Sequence, residues 1–152
     1  MTDLKFTQSP DGHKLAYKQS VASYDSGATV GYIWCGGLKS DMEGGKATTV
    51  HDWAKARGRS YLRFDYFGHG ESEGAFAGGT ISQWTRDTLH VLDTLTNGPQ
   101  VIIGSSMGAW TALRAALARP ERVKALILIA PAPDFTEKLM WARFDKKIRT
   151  QI

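Results

Sequence analysis

The sequence is poor in cysteine and contains no long uninterrupted run of apolar residues. Its single cysteine, Cys35, cannot form a disulfide within the chain, which suits a reducing compartment. No stretch approaches the roughly 20 apolar residues that a helix needs to span a bilayer. Residues Met1–Phe6 also lack an apolar stretch followed by a small-residue cleavage site. We therefore expect no membrane span and no secretory signal, and we predict a cytoplasmic protein.

A concentrated run of one charge is also missing. The 19 Lys and Arg residues outnumber the 15 Asp and Glu residues and give a net charge of +4, but they are spread along the chain. The most basic stretch, residues 138–149, contains Asp145 as well and is typical of the solvated face of a helix. We therefore expect no nucleic-acid partner.

The apolar pattern predicts a single domain over residues 1–152 in which strands and helices alternate. An antiparallel hairpin over residues 4–18 comes first, with its turn at Pro10-Asp11-Gly12. Buried strands are predicted at 29–34, 60–64, 100–103 and 123–129, with helices around residue 53 and at 81–95, 107–119 and beyond 134. This order predicts an α/β fold with a mostly parallel, doubly wound sheet.

Three helix boundaries have their own signals. Gly58 can end the helix that contains Val50, Trp53 and Ala54, and Thr80 with Gln83 matches a capping box. Asp134 and Glu137 are interpreted as a capping pair for a last helix, with an apolar face formed by Met140, Phe144 and Ile148.

One motif in this pattern indicates chemistry: Gly104-Ser105-Ser106-Met107-Gly108, which fits G-x-S-x-G. A strand is predicted directly before it and a helix directly after it, which is the context that the motif requires. The serine of such a motif occupies a strained strand-to-helix turn, and Gly104 and Gly108 remove side chains that would collide with neighbouring backbone. Ser106 is therefore the predicted nucleophile.

Two backbone groups are candidates for an oxyanion hole. The Met107 N–H lies at the start of a helix, where it lacks an intrahelical partner. The second donor is expected from the Leu38 N–H, because Gly36-Gly37 lets the backbone approach after the first parallel strand. Taken alone, Gly36-Gly37 would be interpreted as an ordinary tight turn.

These motifs resemble the α/β-hydrolase superfamily, and the resemblance covers nearly all of the chain. The serine motif is joined by a second one, Phe64-Asp65-Tyr66-Phe67-Gly68-His69-Gly70-Glu71-Ser72. Two further segments, Gly36-Gly37-Leu38-Lys39-Ser40-Asp41-Met42 and Ile129-Ala130-Pro131-Ala132-Pro133-Asp134-Phe135, look like serine hydrolases of the acyl-protein thioesterase ABHD-ten group and its bacterial homologues.

The resemblance implies hydrolysis of carboxylic esters or thioesters through an acyl-enzyme on Ser106. It implies no metal and no organic cofactor. A serine at this turn also argues against the dehalogenase and epoxide-hydrolase chemistry of the same fold, which uses aspartate. Neither Gly36-Gly37-Leu38-Lys39-Ser40 nor Gly68-His69-Gly70 has the glycine spacing of a nucleotide site.

The chain departs from the resembling superfamily in its histidines. The superfamily order is serine, acid, histidine, yet all four histidines precede Ser106; they are His13, His51, His69 and His90. His69 lies in a loop near the expected site and is interpreted as structural, with the general base as the less favoured alternative. The other three are expected on the surface.

Two carboxylates are assigned structural roles from their positions. Asp134 follows the last predicted strand, where some hydrolases of this fold keep their acid, but helix capping is the favoured interpretation. Asp65 is expected to order its loop by accepting backbone hydrogen bonds. Met140, Trp141 and Phe144 could line an acyl pocket, although packing against the core is the favoured interpretation.

The fully apolar strand predicted at residues 123–129 would lie at an edge of the sheet, where such a strand is unusual. Because the resembling family continues with two more strands that carry the acid and the histidine, we expect a truncated serine hydrolase that lacks the last strands of the fold and is inactive or weak. The alternative is a non-catalytic hydrolase-like protein that pairs through this edge, with itself or with a partner.

Overall fold

The computed structural model describes residues 3–22 and 30–150, and the strands in this part of the chain form one sheet. They are β1 (Lys5–Gln8), β2 (Lys14–Ser20), β3 (Gly31–Cys35), β4 (Tyr61–Phe64), β5 (Gln100–Ser105) and β6 (Val123–Ile129). Their order across the six-stranded sheet is β1-β2-β4-β3-β5-β6. The β1–β2 and β2–β4 pairs are antiparallel, and β4–β3, β3–β5 and β5–β6 are parallel. The predicted mostly parallel sheet with an antiparallel N-terminal hairpin is confirmed.

Helices cover both faces of this sheet. The apolar side chains of its central strands point alternately to one face and to the other, so both faces need to be buried. The helices are α1 (Gly45–Ala56), α2 (Ile81–Leu95), α3 (Met107–Ala118) and the short α4 (Lys146–Arg149). Trp34 and Ile103 point to the face that α1 covers, whereas Ile33 and Ile102 pack with α2 and α3 on the other face. The sheet is therefore doubly wound. None of the helices in the described residues is long and apolar enough to cross a membrane.

Most of the predicted boundaries are confirmed, with small shifts. The turn of the first hairpin is closed by Gly12 N–H, which donates to Ser9 O at 3.0 Å. Gly58 has a φ of 60° directly after α1. β5 continues two residues beyond the predicted strand, to Ser105. The start predicted for β3, Thr29, lies outside the described residues.

The capping box before α2 forms only in part. Thr80 Oγ1 accepts the Gln83 N–H at 3.1 Å, which satisfies one of the first N–H groups of the helix. The Gln83 side chain does not reach back, because its amide donates to Asp87 Oδ1 at 2.9 Å and its carbonyl accepts from Arg86. The neighbouring turn of the helix therefore competes with the cap for the glutamine.

The predicted cap of the last helix is wrong, and the helix itself is broken into three short segments. The chain after β6 instead forms a wide π-type turn at Phe135–Met140, a 3-10 turn at Trp141–Arg143 and then α4. Asp134 has a φ of 54° and makes no capping hydrogen bond; its carboxylate pairs with Lys138 Nζ at 3.3 Å. A cap residue needs an extended backbone to place its oxygen over the first turn, and the left-handed conformation of Asp134 prevents this.

The loops that follow the four parallel strands lie at one edge of the sheet. β3, β4, β5 and β6 are mutually parallel, so the loops that follow them leave from the same edge of the sheet. β6 pairs with β5 on one side and is the last strand in the described part of the sheet, as predicted. Its side chains are only partly covered, and Ile127 is 47% exposed.

Candidate active site

Ser106 lies between the end of β5 and the start of α3, in a conformation that serine rarely adopts. Its φ is 54° and its ψ is −117°, and the residue is exposed although its neighbours are buried. The backbone is held on both sides: Ser106 N–H donates to Ile129 O at 2.9 Å, and Ser106 O accepts from Ala109 N at 3.0 Å. Such a conformation costs roughly 1–3 kcal/mol and persists only where the surroundings impose it. The fold therefore presents this hydroxyl to solvent at the cost of local strain.

The two glycines that flank the serine lie against backbone. A Cβ on Gly104 would come within 2.6 Å of Ala109 Cα and of Gly108 O. A Cβ on Gly108 would collide with the carbonyl oxygens of Cys35 and Gly36 and would lie 2.5 Å from the Cys35 carbonyl carbon. Because these neighbours are backbone atoms, they cannot rotate away. Close packing of α3 against β5 and the end of β3 therefore requires both glycines.

The loop after β3 passes beside the serine as a tight turn. Ser40 N–H donates to Gly37 O at 3.1 Å and closes a four-residue turn, with Leu38 exposed at its second position. Gly37 lies against Ser106, since a Cβ at that position would be 3.5 Å from Ser106 Cβ. This turn therefore brings the Leu38 backbone to the serine.

The backbone N–H groups of Met107 and Leu38 have no hydrogen-bond partner among the described residues. Met107 is the first residue of α3, so no preceding helical carbonyl can accept its N–H. Leu38 N–H is the second such donor, whereas the N–H groups of Lys39 and Ser40 are both bonded. Both free donors lie in segments that contact the serine, and this arrangement can stabilise a negatively charged oxygen.

Asp65 joins the loop after β4 to the loop after β3, as the sequence predicted for a loop-ordering carboxylate. Its Oδ1 accepts Met42 N–H at 2.7 Å, and its Oδ2 accepts Glu71 N–H at 2.9 Å. Burial raises the pKa of the carboxyl to about 6, although both N–H donors act to lower it. A Cβ on Gly70 would collide with the carboxylate, which accounts for the glycine at that position.

The profile of one protein family, described as "Hydrolase_4: Serine aminopeptidase, S33", matches residues 41–151. The chain belongs to this α/β-hydrolase family. The match includes the serine turn and the loop after β4, and the fold and strand order described above agree with it.

Curated relatives of this family member include three mammalian proteins named palmitoyl-protein thioesterase ABHD10, mitochondrial. The rat protein is 42% identical over 133 residues, which are 88% of this chain and 43% of the relative. The mouse protein is 44% identical over 131 residues, which are 86% of this chain and 42% of the relative. The human protein is 42% identical over 133 residues, which are 88% of this chain and 42% of the relative. The chain thus spans about two-fifths of the length of these relatives.

Solved structures show the same fold. Mouse alpha/beta hydrolase domain-containing protein 10 superposes with a TM-score of 0.85 at 37% identity, covering 98% of this chain and 57% of that one. A putative hydrolase from Agrobacterium vitis S4 gives a TM-score of 0.87 at 37% identity, with 99% and 60% covered. The Est1E protein from Butyrivibrio proteoclasticus, solved with ferulic acid bound, gives 0.79 at 25% identity, with 93% and 60% covered.

Among the histidines, His69 is the one that contacts the turn after β3, and both of its ring nitrogens are engaged. Nε2 accepts Lys39 N–H at 3.1 Å, and Nδ1 donates to Phe67 O at 3.1 Å. The Lys39 donor assigns the lone pair to Nε2 and hence the proton to Nδ1. Burial lowers the pKa of this imidazole, so it stays neutral near pH 7.

The other three histidines lie on other parts of the fold and are half-buried rather than fully exposed. His13 packs on the Phe67 ring with 4.4 Å between centroids. His90 Nε2 lies 2.9 Å from Thr7 Oγ1, and His51 is on α1 with its ring 6.0 Å from that of Tyr61. None of these three bonds the Ser106 hydroxyl in the described structure.

Three residues of the segment after β6 were predicted less well. Asp134 is not a cap, and its carboxylate is exposed beside Lys138 rather than bonded to a histidine. Met140 and Trp141 are 42% and 37% exposed, so the favoured interpretation, packing against the core, is wrong for these two. Their role in an acyl pocket stays a prediction.

Local patterns in the sequence do not reveal how β4 and the loop after it support the loop after β3. Arg63 Nη1 donates to Met42 O at 2.8 Å, and His69 holds Lys39. Lys39 itself adopts a φ of 56°. The sequence does not indicate this, because lysine has no preference for the left-handed conformation. These contacts join residues more than 20 positions apart, so spacing within a motif could not reveal them.

Proposed function

We propose that this chain supplies the nucleophile and the oxyanion donors of a serine hydrolase that cleaves thioesters or carboxylic esters. The observation that carries the proposal is the conformation of Ser106: an exposed hydroxyl on a strained turn at the carboxyl edge of the sheet, beside two free N–H groups. Membership of a hydrolase family and relatives named thioesterases support the reaction class.

In the proposed reaction, Ser106 Oγ attacks the acyl carbonyl carbon while a general base accepts the hydroxyl proton. The carbonyl oxygen becomes an oxyanion that accepts hydrogen bonds from Leu38 N–H and Met107 N–H. Collapse of this intermediate expels the thiol or alcohol, which takes the proton from the base and leaves an acyl group on Ser106. Water then attacks the acyl-enzyme while the base accepts its proton. The second oxyanion collapses, Ser106 Oγ leaves with the proton from the base, and the carboxylic acid is released.

The base and its acid are the parts of this machinery that the described residues do not bring to Ser106. His69 is occupied at both nitrogens, and the other histidines lie elsewhere. We therefore propose that a complete site uses an Asp and a His from outside this sequence and that the 152-residue chain alone is inactive or weak. Reading the coding sequence on either side of the region tests this, since a downstream frame without further strands, an Asp and a His would contradict it.

Labelling with a fluorophosphonate probe tests the nucleophile directly. We expect the intact gene product to label at Ser106 and the S106A variant not to label. Ser105→Ala is the matched control, because Ser105 is the adjacent serine but is only 7% exposed and should not react. Labelling that survives in S106A would refute the assignment.

The substrate class follows from the relatives only as a proposal. Because several relatives are named palmitoyl-protein thioesterases, palmitoyl thioesters are the first substrates to test. A panel of p-nitrophenyl esters and acyl thioesters of increasing chain length would show which acyl group and which leaving group are preferred. The compartment is tested by cell fractionation, between the predicted cytoplasm and the mitochondrial location in those relatives' names.

A non-catalytic role stays the alternative prediction, and it would act through the edge of β6. β6 has no strand beside its outer edge in the described residues, and Ile127 on this strand is 47% exposed. An open, apolar edge can pair with the same edge of a second copy. Dimerisation in size-exclusion chromatography together with no fluorophosphonate labelling would support this role over the enzymatic one, and a monomer that labels at Ser106 would refute it.

A further inference from the structure

The turn that carries Leu38 contains a strained residue. Lys39 adopts a φ of 56° at the third position of the turn, where glycine is the usual residue. A left-handed conformation costs a residue with a side chain roughly 1–2 kcal/mol. The turn closure by Ser40 N–H and Gly37 O at 3.1 Å must therefore be supported from elsewhere to remain in place.

Turn closure decides where the Leu38 N–H points. The Gly37 carbonyl and the Leu38 N–H belong to one planar trans peptide, so they point in opposite directions. When Ser40 holds the Gly37 carbonyl, it orients the Leu38 N–H as well. The next peptide plane is held through the Lys39 N–H, which donates to His69 Nε2 at 3.1 Å. Two successive peptide planes of the turn are thus held, one of them by a side chain from another loop.

The His69 ring is itself held rigidly. Its Nδ1 donates to Phe67 O at 3.1 Å, which orients the Nε2 lone pair towards Lys39. The rings of Trp84, Phe76 and Tyr66 surround it, with centroids 5.2, 5.3 and 5.7 Å away, and the residue is 4% exposed. The imidazole is a fixed acceptor rather than a mobile surface side chain.

We propose that His69 is a positioning residue for the hydrolytic reaction: its Nε2 holds the strained Lys39 peptide and thereby orients the Leu38 N–H towards the oxyanion that forms at Ser106. This inference rests on the proposed function, since it assigns the Leu38 N–H as an oxyanion donor. The neutral state that burial gives the histidine fits this role, because protonation of Nε2 would remove the acceptor.

The effect on catalysis separates positioning from general stabilisation. Loss of one entire oxyanion donor typically lowers kcat by about 10²–10³. Misalignment of Leu38 should lower kcat by about tenfold or more with KM changed by less than about twofold, because the oxyanion exists only after attack. A general loosening of the site would change KM as well.

The experiment measures p-nitrophenyl butyrate hydrolysis by the intact gene product, taken as the rate above that of S106A. His69→Phe keeps a ring in the aromatic cluster but removes both nitrogens, and we expect the fall in kcat. His69→Gln offers an amide oxygen near the position of Nε2, and we expect most of the rate to return. The matched control is His90→Phe, which removes a half-buried histidine bonded to Thr7, away from the turn, and should leave kcat unchanged.

A double-mutant cycle links the effect to Leu38. Leu38→Pro removes the proposed donor, and in this background His69→Phe should cause no further fall in kcat. The proposal is overturned if the two effects multiply, if His69→Gln is as impaired as His69→Phe, or if the loss appears in KM.

Amide hydrogen exchange of the chain gives a result that does not depend on activity. We expect Lys39 N–H to be protected in the wild-type and His69→Gln proteins and to exchange quickly in His69→Phe. If wild type and S106A hydrolyse the ester equally, the proposed function fails, and exchange alone then decides whether His69 holds the turn. Unchanged protection of Lys39 in His69→Phe would overturn the positioning role.

Discussion

Gly108→Ala should be among the most damaging one-carbon changes in this chain. The added methyl would meet the carbonyl oxygens of Cys35 and Gly36 and would lie 2.5 Å from the Cys35 carbonyl carbon. Adding a carbon to a well-packed site typically costs 1–3 kcal/mol. Because all the obstructing atoms are backbone, we expect the top of that range, about 3 kcal/mol.

Urea denaturation followed by circular dichroism measures this cost, with the free energy of unfolding taken by linear extrapolation. For a chain of this size, about 3 kcal/mol corresponds to a fall in Tm of roughly 6–12 °C. Gly45→Ala is the matched control, since it adds the same methyl at the exposed first residue of α1 with nothing within 4 Å. It should be neutral or stabilising by a few tenths of a kcal/mol.

The same substitution also tests the geometry around Ser106. Relief of the clash must move α3 away from the end of β3 and thus separate Met107 and Ser106 from the turn at Leu38. We expect Gly108→Ala to abolish fluorophosphonate labelling even at temperatures where the variant is folded. A Gly108→Ala protein within about 0.5 kcal/mol of wild type, with full labelling, would refute the claim that this contact shapes the site.

Three further outcomes are expected. Thr80→Ala should lower the free energy of unfolding by about 1 kcal/mol, because the Gln83 N–H loses its acceptor; thermal unfolding measures this. Arg122→Ala should cost roughly 1.5–3 kcal/mol, because its guanidinium donates to the Thr96 carbonyl and hydroxyl at the end of α2; equal stability in urea would contradict this. Carbon-13 NMR should show the Asp65 carboxyl titrating at about 6. Since that pKa is raised above its unfolded value of about 3.9, the group favours folding most below pH 4 and progressively less up to pH 6.

Local patterns in the sequence were sufficient to predict the elements that position Ser106. An apolar strand, two glycines at fixed spacing around Ser106 and an amphipathic helix predicted the turn between β5 and α3. The hairpin, the Thr80 cap and the end of α1 at Gly58 were also predictable, because each depends on residues within one or two turns of chain. The sheet order followed from the alternation of these elements and the handedness of their connections.

The failure after β6 shows where local reasoning ends. Asp134 followed by Glu137 is a cap signal, and Met140, Phe144 and Ile148 have helical spacing. The segment nevertheless forms a π-helix at Phe135–Met140 and a 3-10 turn at Trp141–Arg143, and only the short α4, which contains Ile148, is α-helical. The left-handed conformation of Asp134 overrides the signal. Helical spacing stabilises a helix only when its apolar face is buried, and Met140 and Ile148 are 42% and 39% exposed.

The sequence by itself determined which serine is presented, which glycines must flank it and which strands carry the loops around it, because these are consequences of backbone sterics and apolar periodicity. Only the tertiary structure decided what holds the loop after β3. His69, Asp65 and Arg63 are 20 to 30 residues from the amides and carbonyl that they bind. Parallel strands bring these loops to one edge, and a hydrogen bond across that edge leaves no periodicity in the sequence.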